Sequence, residues 1–238
     1  FKKDIINEPE YFKPQQLDII AGKMWQFYQS DDSKDNLKLD KLGQLLSNLN
    51  PRIDKDDIYL IDSLQKAGEL NIRVYAMISN NKDNMDHFLS NGPIRTEKLN
   101  VRSFKIYADG ALGSRGAALK APYSDLRSHS GEFITSKDSL GKLAYMLATT
   151  PFQMNTHAIG DDANRTILEA YNKALIFSND PRWRIEHAQI IDTSDISLFN
   201  RKIIPSVQPT HATSDMYWAE ERIGAKRLEG AYAYKKLL

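Results

Sequence analysis

Two histidines and a lysine each occupy a short apolar run of strand length. His157 lies in F-Q-M-N-T-H-A (152–158), His187 in R-I-E-H-A-Q (184–189) and Lys105 in S-F-K-I-Y-A-D (103–109). If the three runs are neighbouring strands of a parallel sheet, their C-terminal ends deliver these side chains to one pocket. Converging imidazoles are natural ligands for zinc or a similar metal. A lysine joins them only once its charge is removed, for instance by carbamylation. This chemistry points to a hydrolase.

Each histidine alone reads equally well as a hydrogen-bonded strand end, and it is their occurrence on successive strands that favours a metal. Neutral imidazole with its second nitrogen hydrogen-bonded is the usual ligand state. Glu186 precedes His187, so strand alternation sends it to the opposite face, where a structural role suits it. Lys105 has a bland alternative, a salt bridge to Asp109 or exposure of one strand face, because a buried ammonium is costly. Asp109 opens the loop D-G-A-L-G-S-R-G-A-A (109–118), at the strand end where catalytic and substrate-binding groups gather. The Gly110, Gly113 and Gly116 spacing matches no phosphate-binding fingerprint. His211, in V-Q-P-T-H-A-T, lies on a loop just past Pro209, placed to touch substrate. Gln208 and Trp218 read as pocket lining or as packing, and His87 and His129 sit in polar loops without a role.

The elements that must position these groups follow a rhythm. Helical patterns are expected at 11–28 and 37–49 with a polar loop at 30–36, and residues 1–56 are the least readable part. A helix at 55–67 stops at Gly68. Strands are expected at 72–79, 103–108, 152–157, 183–188 and 203–208, with helices at 137–148, after Asp161 or Asp162 as cap, at 193–200 and over 218–238. A loop containing Asn91-Gly92-Pro93 precedes the second strand, and no hairpin joins any two strands. Strand, loop and helix in alternation argue for a parallel sheet covered by helices, in a (β/α) barrel or an open doubly wound sheet. Five strands fall short of the eight of a closed barrel.

Composition narrows the partners. A formal net charge of +1 gives no support to nucleic acid or an acidic membrane surface, and no stretch has the length of a transmembrane helix. There is no cysteine, so a metal must be held by His, Asp, Glu or a modified Lys. The first residues lack the basic start and apolar core of a signal peptide and also an initiator Met. A cytoplasmic protein is the expectation, with a leader upstream left open.

The segments F-K-I-Y-A-D-G-A-L-G-S-R-G-A (104–117), M-N-T-H-A-I-G-D-D-A-N-R (154–165), R-W-R-I-E-H-A-Q (182–189) and P-S-V-Q-P-T-H-A-T-S-D-M (205–216) together resemble the YtcJ-like branch of the amidohydrolase superfamily, over roughly 57–238. That branch includes N-substituted formamide deformylase. The resemblance implies a metal-dependent (β/α)8 TIM barrel, with one or two zinc ions in the complete enzyme. Lys105 then matches the fourth-strand lysine, often carbamylated, and His157 and His187 match the metal-binding histidines of strands five and six. Asp109 and His211 match positions that contact substrate. The implied activity is hydrolysis of non-peptide carbon–nitrogen bonds, in amides or formamides, by metal-activated water.

The family's first-strand His-x-His pair and eighth-strand aspartate have no counterpart here. The expectation is therefore a partial barrel over 1–238 lacking the first and last strands, with an incomplete metal site. Its partners would be a small-molecule substrate and a second copy in a homodimer. Two rivals stay open: a non-catalytic barrel serving as a binding or oligomerisation scaffold, and a lyase using Lys105 as a Schiff-base nucleophile.

Overall fold

The computed structural model describes residues 53–237, so the helical patterns expected at 11–28 and 37–49, and the loop between them, lie outside the described residues. The first helix, α1 (Lys55–Lys66), buries Ile58, Ile61 and Leu64 at helical spacing and carries Asp56 and Asp57 in its first turn, where the helix dipole favours negative charge. It ends as expected, with Gly68 at φ 76 taking the left-handed turn that a side chain resists.

Strand β1 (Val74–Ser79) follows, and then comes a helix that the sequence reading passed over as loop, α2 (Lys82–Asn91). The Asn81 side chain caps it by accepting from Asn84 N at 2.9 Å. Only Asn84 and Phe88 are buried along it, so it lacks the apolar stripe that betrays a helix in sequence. A hairpin is present where the sequence pattern showed none. The two-residue strand β2 (Ile94–Arg95) turns back and pairs antiparallel with the start of β3 (Leu99–Tyr107).

The remaining units are α3 (Lys137–Ala148), β4 (Gln153–Ala158), α4 (Asp161–Ala174), β5 (Trp183–His187), a 3-10 turn (Thr193–Leu198) and β6 (Ile203–Ser206). Three helices close the described chain: α5 (Thr210–Asp215), α6 (Ala219–Leu228) and α7 (Tyr234–Leu237). The expected single helix over 218–238 is thus broken. Gly224 has non-helical backbone inside α6, and a turn separates α6 from α7. The segment expected as a helix at 193–200 is the 3-10 turn.

Strand order decides between the two architectures that the pattern left open. The parallel neighbours run β1-β3-β4-β5-β6, each strand beside the next in the chain. A doubly wound sheet reverses direction at a switch point, whereas a barrel wall adds strands in one sense. The five parallel strands are therefore a wall of a partial (β/α) barrel. Helices α1, α3 and α4 present Ile58, Leu140, Leu147, Ile167 and Leu168 to the core, all buried completely. Each such side chain contributes on the order of 1.5–3 kcal/mol. Tyr171 of α4 is also buried and hydrogen-bonds Thr156 Oγ1 at 2.7 Å and Met154 O at 2.9 Å, tying the helix to β4.

Candidate functional site

The C-terminal ends of β3, β4 and β5 bring the three expected residues together. Register pairs Lys105 with Asn155 and Tyr107 with His157, so the inward positions of β3 and β4 stack in rows. On β5, alternation puts Arg184 and Glu186 inward, and Arg184 Nε donates to Glu186 Oε1 at 2.7 Å. His187 should then point outward. It does not, because its φ of 74 rotates the Cα substituents and swings the imidazole back over the strand ends. Its ring centroid lies 4.5 Å from that of His157, in an edge-to-face arrangement. Ala188 is also left-handed, at φ 44. Such residues persist only where their surroundings over-determine them, and they cluster at functional sites.

Electrostatics sets the protonation states. Burial, reinforced by His187 and by the Lys105 charge, pushes His157 down to about 3. Burial and Lys105 likewise push His187 down to about 4. Both rings are therefore neutral at pH 7 and able to donate a lone pair. That Lys105 acts on both histidines places its charge beside both. Lys105 itself is 1 % exposed. Burial lowers its amine to about 8, against the attraction of Glu186 and with the repulsion of Arg184. About a tenth is free base at neutral pH, and its Nζ stands 5.1 Å from the Tyr107 ring centroid. No salt bridge to Asp109 forms among the described residues.

Asp109 takes a different place from the one expected for a substrate contact. It is fully buried, and its carboxylate accepts from Ala118 N at 2.9 Å, Ile159 N at 3.0 Å and Gly160 N at 2.8 Å. Its Oδ1 also lies 3.6 Å from His157 Nε2. The residue is a backbone clamp: it docks the 110–118 loop on the end of β4, immediately behind His157. Burial nevertheless raises its carboxyl to about 7 against those three donors.

His211 sits in the first turn of α5 and not on a loop. Its ring centroid is 5.7 Å from that of His187, with its side chain 40 % exposed at the mouth of the site. Sequence reasoning missed its companion Asp215, four residues on, whose Oδ2 is 3.8 Å from His211 Nδ1. Gln189 Nε2 (3.0 Å) and Tyr232 OH (2.8 Å) both donate to that same oxygen. The His-x-x-x-Asp spacing was the available signal. Gln208, left open between lining and packing, has its Oε1 2.7 Å from His187 Nδ1. Trp218 packs instead, beneath the loop cluster of Leu112, Tyr123 and Ile223.

Among the described residues, no group of three His, Cys, Asp or Glu gathers closely enough to hold a metal ion. The donor set fits a cation only in part: two neutral imidazoles, with Lys105 qualifying once its amine has become an anion. Two recesses of about 290 and 310 Å³ open elsewhere, at the N-terminal strand ends around Gln153 and Trp183 and around Tyr171 and Ile203. That end of a barrel serves stability.

Residues 47–238 match the model of the amidohydrolase family. The Bacillus subtilis (strain 168) protein YtcJ, an amidohydrolase by name, is 36% identical over 137 residues, which is 57% of this chain and 26% of that protein. Protein LONG AFTER FAR-RED 3 of Arabidopsis thaliana is 29% identical over 189 residues, 78% of this chain and 32% of its own length. Two crystal structures, described as uncharacterized metal-dependent hydrolases from Pyrococcus furiosus and Pyrococcus horikoshii OT3, superpose with a TM-score of 0.70 at 29% and 28% identity. Each is matched over 78% of this chain, and over 39% and 38% of the respective neighbour. The chain thus spans well under half the length of these relatives.

Proposed function

The chain belongs to the amidohydrolase family, and on that premise we propose that it carries part of the centre of a metal-dependent hydrolase acting on non-peptide carbon–nitrogen bonds, such as those of amides or formamides. His157, His187 and Lys105 would hold a divalent cation, zinc by the preference of nitrogen and anionic oxygen donors. The observation that carries this reading is the pair of neutral imidazoles 4.5 Å apart beside one buried lysine. When bound, the cation lowers the pKa of water and polarises a carbonyl oxygen.

The chain's own residues divide the remaining work. Free-base Lys105 would attack carbon dioxide; an N–C bond forms, one C=O π bond breaks and the amine passes a proton to water, so that a neutral amine becomes an anionic carbamate with carboxylate-like oxygens. Glu186 and Arg184 set the local charge around that amine. His211, at the mouth and leaning on Asp215, is positioned to meet the substrate and to take or give a proton at its imidazole. Asp109 acts behind the site, holding the loop against which His157 rests. Among the described residues no helix is long and apolar enough to cross a membrane, and the family of hydrolases to which the chain belongs favours a small-molecule substrate.

Metal analysis of the full chain tests the reading. Dialysis against zinc should leave metal on the wild type that His157→Ala/His187→Ala does not retain, and a chelator should stop any hydrolysis of an N-substituted formamide. A wild type holding no more zinc than the double variant, with no chelator-sensitive hydrolysis, would make the chain a scaffold. Borohydride trapping of a carbonyl substrate on Lys105 would instead establish the imine chemistry.

A further inference from the structure

We propose that Gln208 is the positioning residue that sets the tautomer of His187, keeping the proton on Nδ1 and leaving the Nε2 lone pair for the site. The inference deepens the metal reading and rests on it for its purpose, though not for its geometry.

The amide of Gln208 is not free to turn over. Its Nε2 donates to Ser206 O at 3.2 Å, while its Oε1 meets His187 Nδ1 at 2.7 Å. Exchanging the two atoms would set the amide oxygen against a carbonyl oxygen, acceptor against acceptor. The oxygen therefore faces the ring, and an amide oxygen only accepts. Nδ1 must then carry the hydrogen. A neutral imidazole has one ring proton, so Nε2 is bare.

The backbone of Gln208 is fixed as well. Its carbonyl accepts from Tyr234 OH at 3.0 Å and from His211 N at 3.0 Å. The orienting amide is thus anchored by β6 through Ser206, by α5 and by α7. His187 needs such a partner more than His157 does, because its ring reaches the site through a left-handed turn and not through strand alternation. His157 has its own neighbour on the other nitrogen, Gly110 O at 3.5 Å from Nε2. The two rings thus have opposite nitrogens occupied, Nδ1 in one and Nε2 in the other. An orienting partner of this kind typically accounts for 10–100-fold in metal affinity.

The test is long-range proton–nitrogen NMR on the full, metal-free chain with nitrogen-labelled histidine at pH 7. The chain has five histidines, and His187→Asn identifies the resonance of interest. Wild-type His187 should show a protonated Nδ1 and a bare Nε2. Gln208→Leu, similar in bulk, should move the proton to Nε2 or mix the tautomers, and should weaken zinc binding about 10–100-fold. Gln208→Glu keeps an acceptor at the same point and should restore both properties. A wild-type His187 protonated on Nε2 overturns the proposal without any variant. A tautomer unchanged in Gln208→Leu also overturns it, even if zinc affinity falls. Zinc failing to bind a wild type whose tautomer is as stated would sink the metal reading and leave the role of Gln208 standing.

Discussion

Cutting the Asp109 clamp should undock the loop behind the site. In Asp109→Asn the amide oxygen can take the place of Oδ2 and keep the bonds from Ala118 N and Gly160 N, while the amide NH2 then faces Ile159 N–H. One buried donor loses its acceptor, which costs about 1–3 kcal/mol. Asp109→Ala strands all three, so simple addition gives about 3–9 kcal/mol. The upper part of that span is not reached, because the 110–118 loop lifts off and water satisfies the donors once the penalty exceeds the cost of undocking. The expected result is a graded loss in denaturant unfolding, Asn near 2 kcal/mol and Ala above about 3 kcal/mol. In both variants hydrogen exchange should accelerate at Ala118, Ile159 and Gly160 well before the helices respond. Asp109→Ala within about 1 kcal/mol of wild type, with those three amides still protected, would refute the clamp.

Three further outcomes follow from the same geometry. A Cβ at Gly160 would stand 1.9 Å from Ala118 O, so Gly160→Ala must push β4 and the loop apart, with a loss of about 1–3 kcal/mol in a thermal melt; an unchanged melt would contradict the close approach. Between pH 6.5 and 4 the unfolded chain binds protons at residues 157 and 187 that the native chain refuses, while native Asp109 keeps a proton that the unfolded chain releases. Two protons against one leave a net loss of about 1.4 kcal/mol per pH unit on acidification, and Asp109→Asn should about double that slope. A stability that rises on acidification through this window would reverse the assignment. Tyr171→Phe removes the hydroxyl that joins α4 to Thr156 and Met154 and should cost about 1–2 kcal/mol by chemical denaturation, whereas a neutral result would show the contact to be idle.

Period and punctuation carried most of the architecture. The helix 137–148 and the five parallel strands stand within a few residues of expectation, because β-branched runs bounded by Gly, Pro and Asp are strong local signals. What escaped was held by tertiary context. Helix α2 is kept by an asparagine cap and one buried phenylalanine, with too little apolar periodicity to register. The β2 turn-back spans two residues, below the length at which alternation can be counted.

The site was legible in identity more than in mechanism of placement. His157, His187 and Lys105 could be picked out because polar groups interrupt apolar strands, and the same logic found Asp109 and His211. Burial, however, belongs to the assembled fold. Nothing in the residues around Asp109 says that one amide from its own loop and two from the end of β4 will close upon it. Nor does a strand pattern reveal a backbone angle: alternation counted from His187 sent Glu186 to the opposite face, whereas the left-handed turn at residue 187 lets Glu186 stay inward beside Lys105 as well.

That left-handed pair at 187 and 188 gives the centre a natural fold line. With extended backbone at residue 187, strand alternation would carry its imidazole to the helix-facing side and separate it from His157. The armed arrangement is consequently a conformer that the protein holds in place, fastened on one side by the Gln208 amide and just downstream by the bond from Ile190 N to Ile159 O.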